Sequence, residues 1–354
     1  MLQFSNLTIE EVLVNQSGAM EADTISKNGR SSKSLMSRGM KKMIFIIIIV
    51  VVGLTTACDK ENATDENVAK MTMTTAKEGL VRFSLDGKGT AVINWGDGTN
   101  ETITFMGSMT DHSHTYINST IRTITIIGDS ITYLCCGHNP GNTGDMYNNQ
   151  LKSLDVSDNT TLIYLECSNN QLTALDVSKN NALKSLGCHN NQLTALDMGN
   201  SSALISMMCS NNQLTKLDVS KNTALEGLVC NNNKLTALDV SSNSALNTLS
   251  CGNNQLTELD VSKNSALLQL VCDYNQLTDL DVSKKTTLAT LDISSNLFDA
   301  ERLNALFLTL HSNTVTIGDF TYTKTIHIRH NPGTATCNPN IAEEKGWDVV
   351  TTVN

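Results

Sequence analysis

The chain has 354 residues, a formal net charge of −10, 4% aromatic residues, 21 Gly, 3 Pro and 10 Cys. That length admits two or three domains. Few aromatics with abundant Asn, Ser, Thr and Gly fit a turn-dense repetitive fold better than a large enzyme core, and the acidic excess repels phosphate backbones and so argues against a nucleic-acid partner.

The first apolar run, "MKKMIFIIIIVVVGLTTAC", spans Met40 to Cys58. Two lysines precede about a dozen apolar residues, a run short for a membrane span and proportioned as a signal-peptide core. It resembles a bacterial lipoprotein signal, 40–57, which implies acylation of Cys58. Thr55 stands where that pattern usually has Leu, and an ordinary secretion signal or a short anchor helix are the alternatives. Residues 1–39 fit neither signal nor domain, so a start at Met40 is expected. The acidic stretch "DKENATDEN" opens a flexible tether, 58–69, and resembles a surface-export signal of Bacteroides-type lipoproteins.

From 70 to 133 the pattern becomes period-two: "LVRFSL", "TAVINWGDG", "TITFM", "RTITIIG". Alternation with Gly and Asp turns predicts a small β-sandwich. "WGDGT" at Trp95–Thr99 with "SHTY" at Ser113–Tyr116 resembles the PKD-like, Ig-type module. That resemblance implies a carbohydrate or protein contact, while the residues themselves favour Trp95 as core and Asp97–Gly98 as turn. His112 and His114 project from one strand face without further metal ligands nearby, and His327 and His330 likewise lack them.

Leucines at 151, 172, 193, 214, 235, 256 and 277 recur every 21 residues, carrying L-x-x-L-x-(C/V)-x-x-N twice per period. Such a period predicts a leucine-rich repeat solenoid over 134–298, each coil with two short strands on opposite sides. A single coil cannot bury its apolar edge, so stacking makes the core. Asn139, Asn170, Asn191, Asn212, Asn233, Asn254, Asn275 and Asn296 form a column that donates and accepts across turns. An insertion containing "PGNTGDMYNN", 140–149, is too polar to pack inward and makes the 141–150 loop a candidate contact loop.

Cys136, Cys167, Cys188, Cys209, Cys230, Cys251 and Cys272 form a second column. Equivalent residues on stacked strands sit about 4.8 Å apart and point the same way, too far for unstrained disulfides. A straight column also offers zinc only two nearby thiols. Small apolar filler is the favoured role, with partial disulfides or metal as alternatives, and Ile293 at the next position of the column fits it. The aspartates at 155, 176, 197, 218, 239, 260 and 281 invite a calcium reading. No coil supplies six oxygen ligands, and Lys179, Lys221, Lys263 and Lys284 offset the charge.

The spacing, inward cysteines and "LTxLDVSxN" linkers over 134–296 resemble cysteine-ladder leucine-rich repeats of the internalin J type and leucine-rich lipoproteins of Bacteroides-type bacteria. The resemblance implies a non-catalytic extracellular binding scaffold. "DAERLNALFLTLH" has apolar residues at i, i+3, i+4 and i+7 behind Asp299 as N-cap, and "NPNIAEEKGW" reads as a short helix, so 299–354 is expected to be a helical cap.

The expected fold is therefore mainly β: a solenoid preceded by a PKD-like sandwich and closed by that cap. The expected function is a lipid-anchored adhesin or binding protein on the outer membrane, recognising an extracellular protein or glycoprotein. The alternative is a polysaccharide-binding lipoprotein working through the β domain and the 141–150 loop. No cofactor or metal is expected, and the sequence shows no nucleophile–base pair, phosphate loop or H-E-x-x-H. The outward positions of the Cys-bearing strands vary between coils and form the candidate binding surface: Tyr164, Glu166, Lys184, His189, Met208, Ser210, Asn231, Asp273 and Tyr274.

Overall fold

The computed structural model describes residues 69–137 and 148–352. The expected signal and start, Cys58, nearly all of the tether, Asn139 and most of the 141–150 loop lie outside the described residues.

Five strands open the fold: β1 (Ala69–Thr75), β2 (Gly79–Asn94), β3 (Asn100–Thr104), β4 (Thr110–Tyr116) and β5 (Arg122–Cys135). Alternate residues of β1 and β2 (Met71, Met73, Val81, Phe83, Ile93) are fully buried, as period-two alternation requires. β2 pairs with β4 through its first half and β3 through its second, and its pairing with β5 shifts register at Asp86/Gly87 and Lys88/Ala91. Gly87 makes the close approach possible, because a Cβ there would lie 2.2 Å from the Ser130 carbonyl oxygen. Trp95 is core: it meets Phe83 at 5.2 Å, and its carbonyl accepts the Tyr116 hydroxyl at 2.5 Å. Asp97 accepts the Thr99 N–H across the turn at 3.1 Å.

This unit is not a separate sandwich. β5 runs through the expected boundary at 133/134 and continues as the first strand of the solenoid ladder, while β1 pairs antiparallel with β6 (Leu151–Asp155) of the first coil. One hydrophobic core extends across both. Two backbone attachments thus fasten the unit to the open end of the stack.

The solenoid makes about nine turns. The strands of its cysteine side are β7 (Tyr164–Glu166), β9 (Ser185–Gly187), β11 (Ser206–Met208), β12 (Gly227–Val229), β13 (Thr248–Ser250), β14 (Gln269–Val271) and β15 (Thr290–Asp292), the last followed by Ile293 in the cysteine's place. They pair in parallel and in register, each shifted by one period, into a continuous sheet. The second expected row of strands is incomplete. Only β8 (Leu175–Asp176) and β10 (Leu196–Asp197) pair there among the described residues. A ladder needs strands about 4.8 Å apart; the cysteine side pairs throughout, whereas the aspartate side keeps one recurring bond per coil at its start, such as the Gln213 N–H to the Leu193 carbonyl and the Gln255 N–H to the Leu235 carbonyl, both at 2.8 Å, and pairs as strands in one pair of coils.

After β15 comes helix α1 (Ala300–Thr309), capped by Asp299, whose side chain accepts the Arg302 N–H at 2.8 Å. Leu303, Leu306 and Phe307 face the solenoid core. A hairpin, β16 (Val315–Ile317) and β17 (Phe320–Tyr322), precedes β18 (Lys324–His327), helix α2 (Asn340–Glu343) and β19 (Trp347–Val350). β18 and β19 add two further parallel strands to the cysteine-side sheet, so the helices flank a ladder that continues past them. Lys345 secures α1: its ammonium donates to the carbonyls of Phe307, Leu308 and Leu310 at 3.1, 2.6 and 2.8 Å. No helix among the described residues is long and apolar enough to cross a membrane.

Candidate binding face

Each cysteine-side strand from β7 to β15 turns its middle residue (leucine, or Met207 in β11) and the residue just after the strand (cysteine, or Ile293 after β15) inward and buried, and leaves the alternate positions outward. Register fixes two outward columns. The first runs Tyr133, Tyr164, Ser185, Ser206, Gly227, Thr248, Gln269, Thr290, Thr325; the second runs Cys135, Glu166, Gly187, Met208, Val229, Ser250, Val271, Asp292, His327.

The expected surface residues are less open than their outward position implies. Glu166, His189, Ser210 and Asn231 are buried, Tyr164, Lys184, Met208 and Asp273 are half-buried, and Tyr274 alone of the nine is exposed. The cause is lateral packing. Neighbours one coil away stand about 4.8 Å apart, so short polar side chains shade and bond to one another. Glu166 Oε1 accepts the Ser168 N–H at 2.8 Å, and its carboxylate lies where a Cβ on Gly187 would be. Asn231 Oδ1 accepts from Ser250 Oγ at 2.9 Å and from the Gly252 N–H at 2.8 Å. Tyr164 stacks on Tyr133 with centroids 4.4 Å apart and planes 2° from parallel. Tyr274 stands at the corner after the strand, with φ +48°, in a left-handed column otherwise held mainly by Asn169, Asn190, Asn211, Asn232 and Asn253.

Behind the face, the buried asparagines work in the way a coil of this shape demands. Asn233 Nδ2 donates to the carbonyls of Cys209, Cys230 and Asn231, and its Oδ1 accepts the Leu214 N–H at 3.0 Å. The same pattern holds at Asn191, Asn212 and Asn254. It extends to both ends of the column. Asn170, 7% exposed, donates to the Cys136, Cys167 and Ser168 carbonyls and accepts the Leu151 N–H at 3.0 Å, so it ties the first coil to the strand that precedes the insertion. Asn275 bonds the Cys251, Cys272 and Asp273 carbonyls and the Leu256 N–H. Asn296 bonds the Cys272, Ile293 and Ser294 carbonyls and the Leu277 N–H, with Ile293 now in the cysteine's place. The amides therefore sit inside the coil as polar staples, 3–9% exposed, and take no part in the outer surface.

A second amide column, which sequence reasoning left inside the linker, comprises Asn159, Asn180, Asn222, Asn243 and Asn264. Asn243 Nδ2, for example, bonds the carbonyls of Val219 and Asn222 at 2.9 and 2.8 Å. The repeated N in "DVSKN" was the available signal.

The cysteines from 136 to 272 are unpaired and buried. Burial, foremost, pushes the thiols of Cys136, Cys167, Cys188, Cys209, Cys230, Cys251 and Cys272 well above their ordinary range, so each is a neutral, unreactive group at physiological pH. The aspartate column forms turns: Asp155, Asp176, Asp218, Asp239, Asp260 and Asp281 each accept the N–H of the serine two residues on. Bonds from those serines lower the carboxyl pKa values at all six positions. In the N-terminal unit, His112 bonds Glu101 at 2.8 Å and His114 bonds Asp97 at 2.7 Å while stacking on Trp95, so both imidazoles are spoken for structurally.

The chain is similar to cysteine-ladder leucine-rich repeat proteins. The functional domain of InlJ from Listeria monocytogenes, described as including a cysteine ladder, is 31% identical over 62% of this chain and 48% of its own, with a TM-score of 0.48. An internalin, InlF, of the same organism is 20% identical over 58% of this chain and 85% of its own, TM-score 0.34. YopM of Yersinia pestis, a leucine-rich effector, is 30% identical over 39% of each chain, TM-score 0.36. The chain thus spans about half the length of the InlJ structure. No protein-family model matches it, and no curated protein does.

At the far end of the face stand Asp292, Ser294 and His327, the residue types of a nucleophilic triad. A triad needs serine and carboxylate each hydrogen-bonded to the imidazole. Here neither ring nitrogen of His327 nor Ser294 Oγ has a hydrogen-bond partner, and Asp292 Oδ1 instead accepts the Ser294 N–H at 2.9 Å. No group of three or more His, Cys, Asp or Glu among the described residues is arranged to hold a metal ion.

Proposed function

We propose that this is a non-catalytic binding protein that holds an extracellular protein, or the protein part of a glycoprotein, against the outward columns of its cysteine-side sheet. One observation carries the reading: inward positions repeat coil after coil, while the outward columns change in size, charge and aromaticity on a backbone fixed by a continuous ladder. A pre-ordered surface loses little conformational freedom on binding. The neutral, buried thiols supply no nucleophile, in keeping with a non-enzymatic role.

Residues 299–354 and the 70–133 unit serve as the two ends of the stack. The WGDGT turn keeps the latter's PKD-like resemblance. The signal-like run ending at Cys58 supports lipid anchoring on the bacterial outer membrane facing outward, as an adhesin would require.

The test compares two arginine substitutions in the purified protein. Ser206→Arg projects from the middle of the face beside Gly227, where a Cβ would have Ser206 Oγ itself as its nearest neighbour at 4.0 Å, while Thr215→Arg sits exposed elsewhere on the coil. Proteins captured from host-mucus or bacterial-surface extracts should be lost with Ser206→Arg and kept with Thr215→Arg. Capture indifferent to Ser206→Arg, or binding only to protease-treated glycan, contradicts the reading.

A further inference from the structure

Unpartnered buried polar side chains lie on this face at Ser210 in its middle and, as a group on adjacent strands, at its C-terminal end. His327, 5% exposed, has no partner for either ring nitrogen, and Ser294, 3% exposed, has none for its hydroxyl. They stand on adjacent strands, with His327 in register with Asp292 and the Ile293 N–H donating to the His327 carbonyl at 3.0 Å. Asp273, one coil earlier, lays its carboxylate across Gly252; a Cβ on that glycine would fall 2.0 Å from Oδ1. Arg329 approaches Asp292 at 3.9 Å, beyond hydrogen-bonding distance. Asp348 follows on β19, in register with Thr325 beside His327. Arg329 thus stands beside Asp292, with Asp273 one coil before and Asp348 on the strand beyond.

We propose that this end of the face is the seat for a cationic side chain, lysine or arginine, of the bound protein. The proposal rests on the face being the binding surface and adds the chemistry of its anchor. An ammonium or guanidinium brings N–H donors, and the site holds acceptors in excess: Asp273, Asp292, the Ser294 hydroxyl and one nitrogen of a neutral His327 ring. An anion would meet the carboxylates of Asp273, Asp292 and Asp348 against the guanidinium of Arg329, on a chain of net charge −10.

The electrostatics agree. Burial, then the charge of Asp292, pushes Asp273 up to about 7, with Arg329 offsetting only part. Burial also lowers His327, against the opposing pull of Asp292 and Asp348, which leaves its ring neutral near pH 7. A bound cation favours ionised Asp273, so binding and deprotonation are linked: affinity for the cation rises with pH until Asp273 is fully ionised.

The probe is a blocked tri-arginine peptide titrated into the full chain, with tri-glutamate and tri-glutamine as comparisons, read by the NMR signals of the Asp273 carboxyl and the His327 ring. Tri-arginine should shift both signals, bind about tenfold more tightly near pH 7.5 than near 5.5, and weaken as salt is added. Asp273→Asn should flatten the pH dependence. Ser294→Ala, a smaller change at a residue with no side-chain bond to lose, should weaken binding severalfold with the fold retained. Tri-glutamate binding as well as tri-arginine, or tri-arginine binding that ignores pH and both substitutions, overturns the proposal. If Ser206→Arg abolishes protein capture while tri-arginine leaves Asp273 and His327 unmoved, the anchor is wrong and the face remains. If Ser206→Arg leaves capture intact, the face itself is wrong.

Discussion

Replacing Asn233 by alanine isolates what the buried amide column contributes. The substitution removes the two amide N–H donors shared among the Cys209, Cys230 and Asn231 carbonyls at 3.1, 3.1 and 3.3 Å, and the one acceptance from the Leu214 N–H at 3.0 Å. Asn233 is 9% exposed, so water reaches the orphaned groups poorly. The stranded N–H alone costs about 1–3 kcal/mol, and the carbonyls and the small void add to it, giving an expected loss of about 3 kcal/mol. The assay is urea unfolding of wild type and variant, with amide exchange at Leu214 as a local probe, because long repeat arrays can unfold in parts. Asn232→Gly is the control: Asn232 sits at the corner with φ +54°, a conformation glycine adopts freely, so a change within about 1 kcal/mol is expected. If Asn233→Ala unfolds within about 0.5 kcal/mol of wild type and Leu214 exchange is unchanged, the column does not hold the coils.

Cys230→Val should be tolerated within about 1.5 kcal/mol, whereas Cys230→Ser buries a hydroxyl among apolar neighbours and should cost about 1–3 kcal/mol; thermal unfolding separates them. Gly137→Ala places a Cβ 2.4 Å from the Ser168 backbone nitrogen and should destabilise the first coil by about 2 kcal/mol or more, while Gly227→Ala, whose Cβ meets only the Ser206 hydroxyl at an ordinary 4.0 Å, should stay within about 0.5 kcal/mol. Asp273 stays protonated in the fold until about 7 while the unfolded chain ionises near 3.8. Native stability should therefore fall as pH rises through that window, by on the order of 2–4 kcal/mol, and Asp273→Asn should remove the slope in pH-dependent urea titrations.

The 21-residue period made the stack legible, because leucine, cysteine and asparagine each recur at one fixed place and only stacking buries them all. The main amide column was readable from Asn170 to Asn296 for that reason. The second amide column stayed hidden inside "DVSKN", where asparagine also reads as an ordinary turn residue. The Tyr133–Tyr164 stack was concealed by the insertion, which separates the pair by more than one period. Outward position along a strand was readable from alternation, but exposure was not. Whether Glu166 or Asn231 meets water depends on what the neighbouring coil places beside it, such as Gly187 or Ser250. β1 and β19 escaped notice for a related reason: they are defined by partners far along the chain, Asp155 for the one and Lys324 for the other.

The account turns on sulfur serving as inert bulk within the stack, so that whatever the protein does is done on its face. Thiol labelling followed by mass spectrometry, on native and then denatured chain without reductant, tests this directly. The account predicts that cysteines 136 through 272 resist labelling while folded and all become labelled as free thiols on unfolding. Native labelling along the column, pairwise oxidation, or co-purifying zinc at stoichiometric amounts would contradict it.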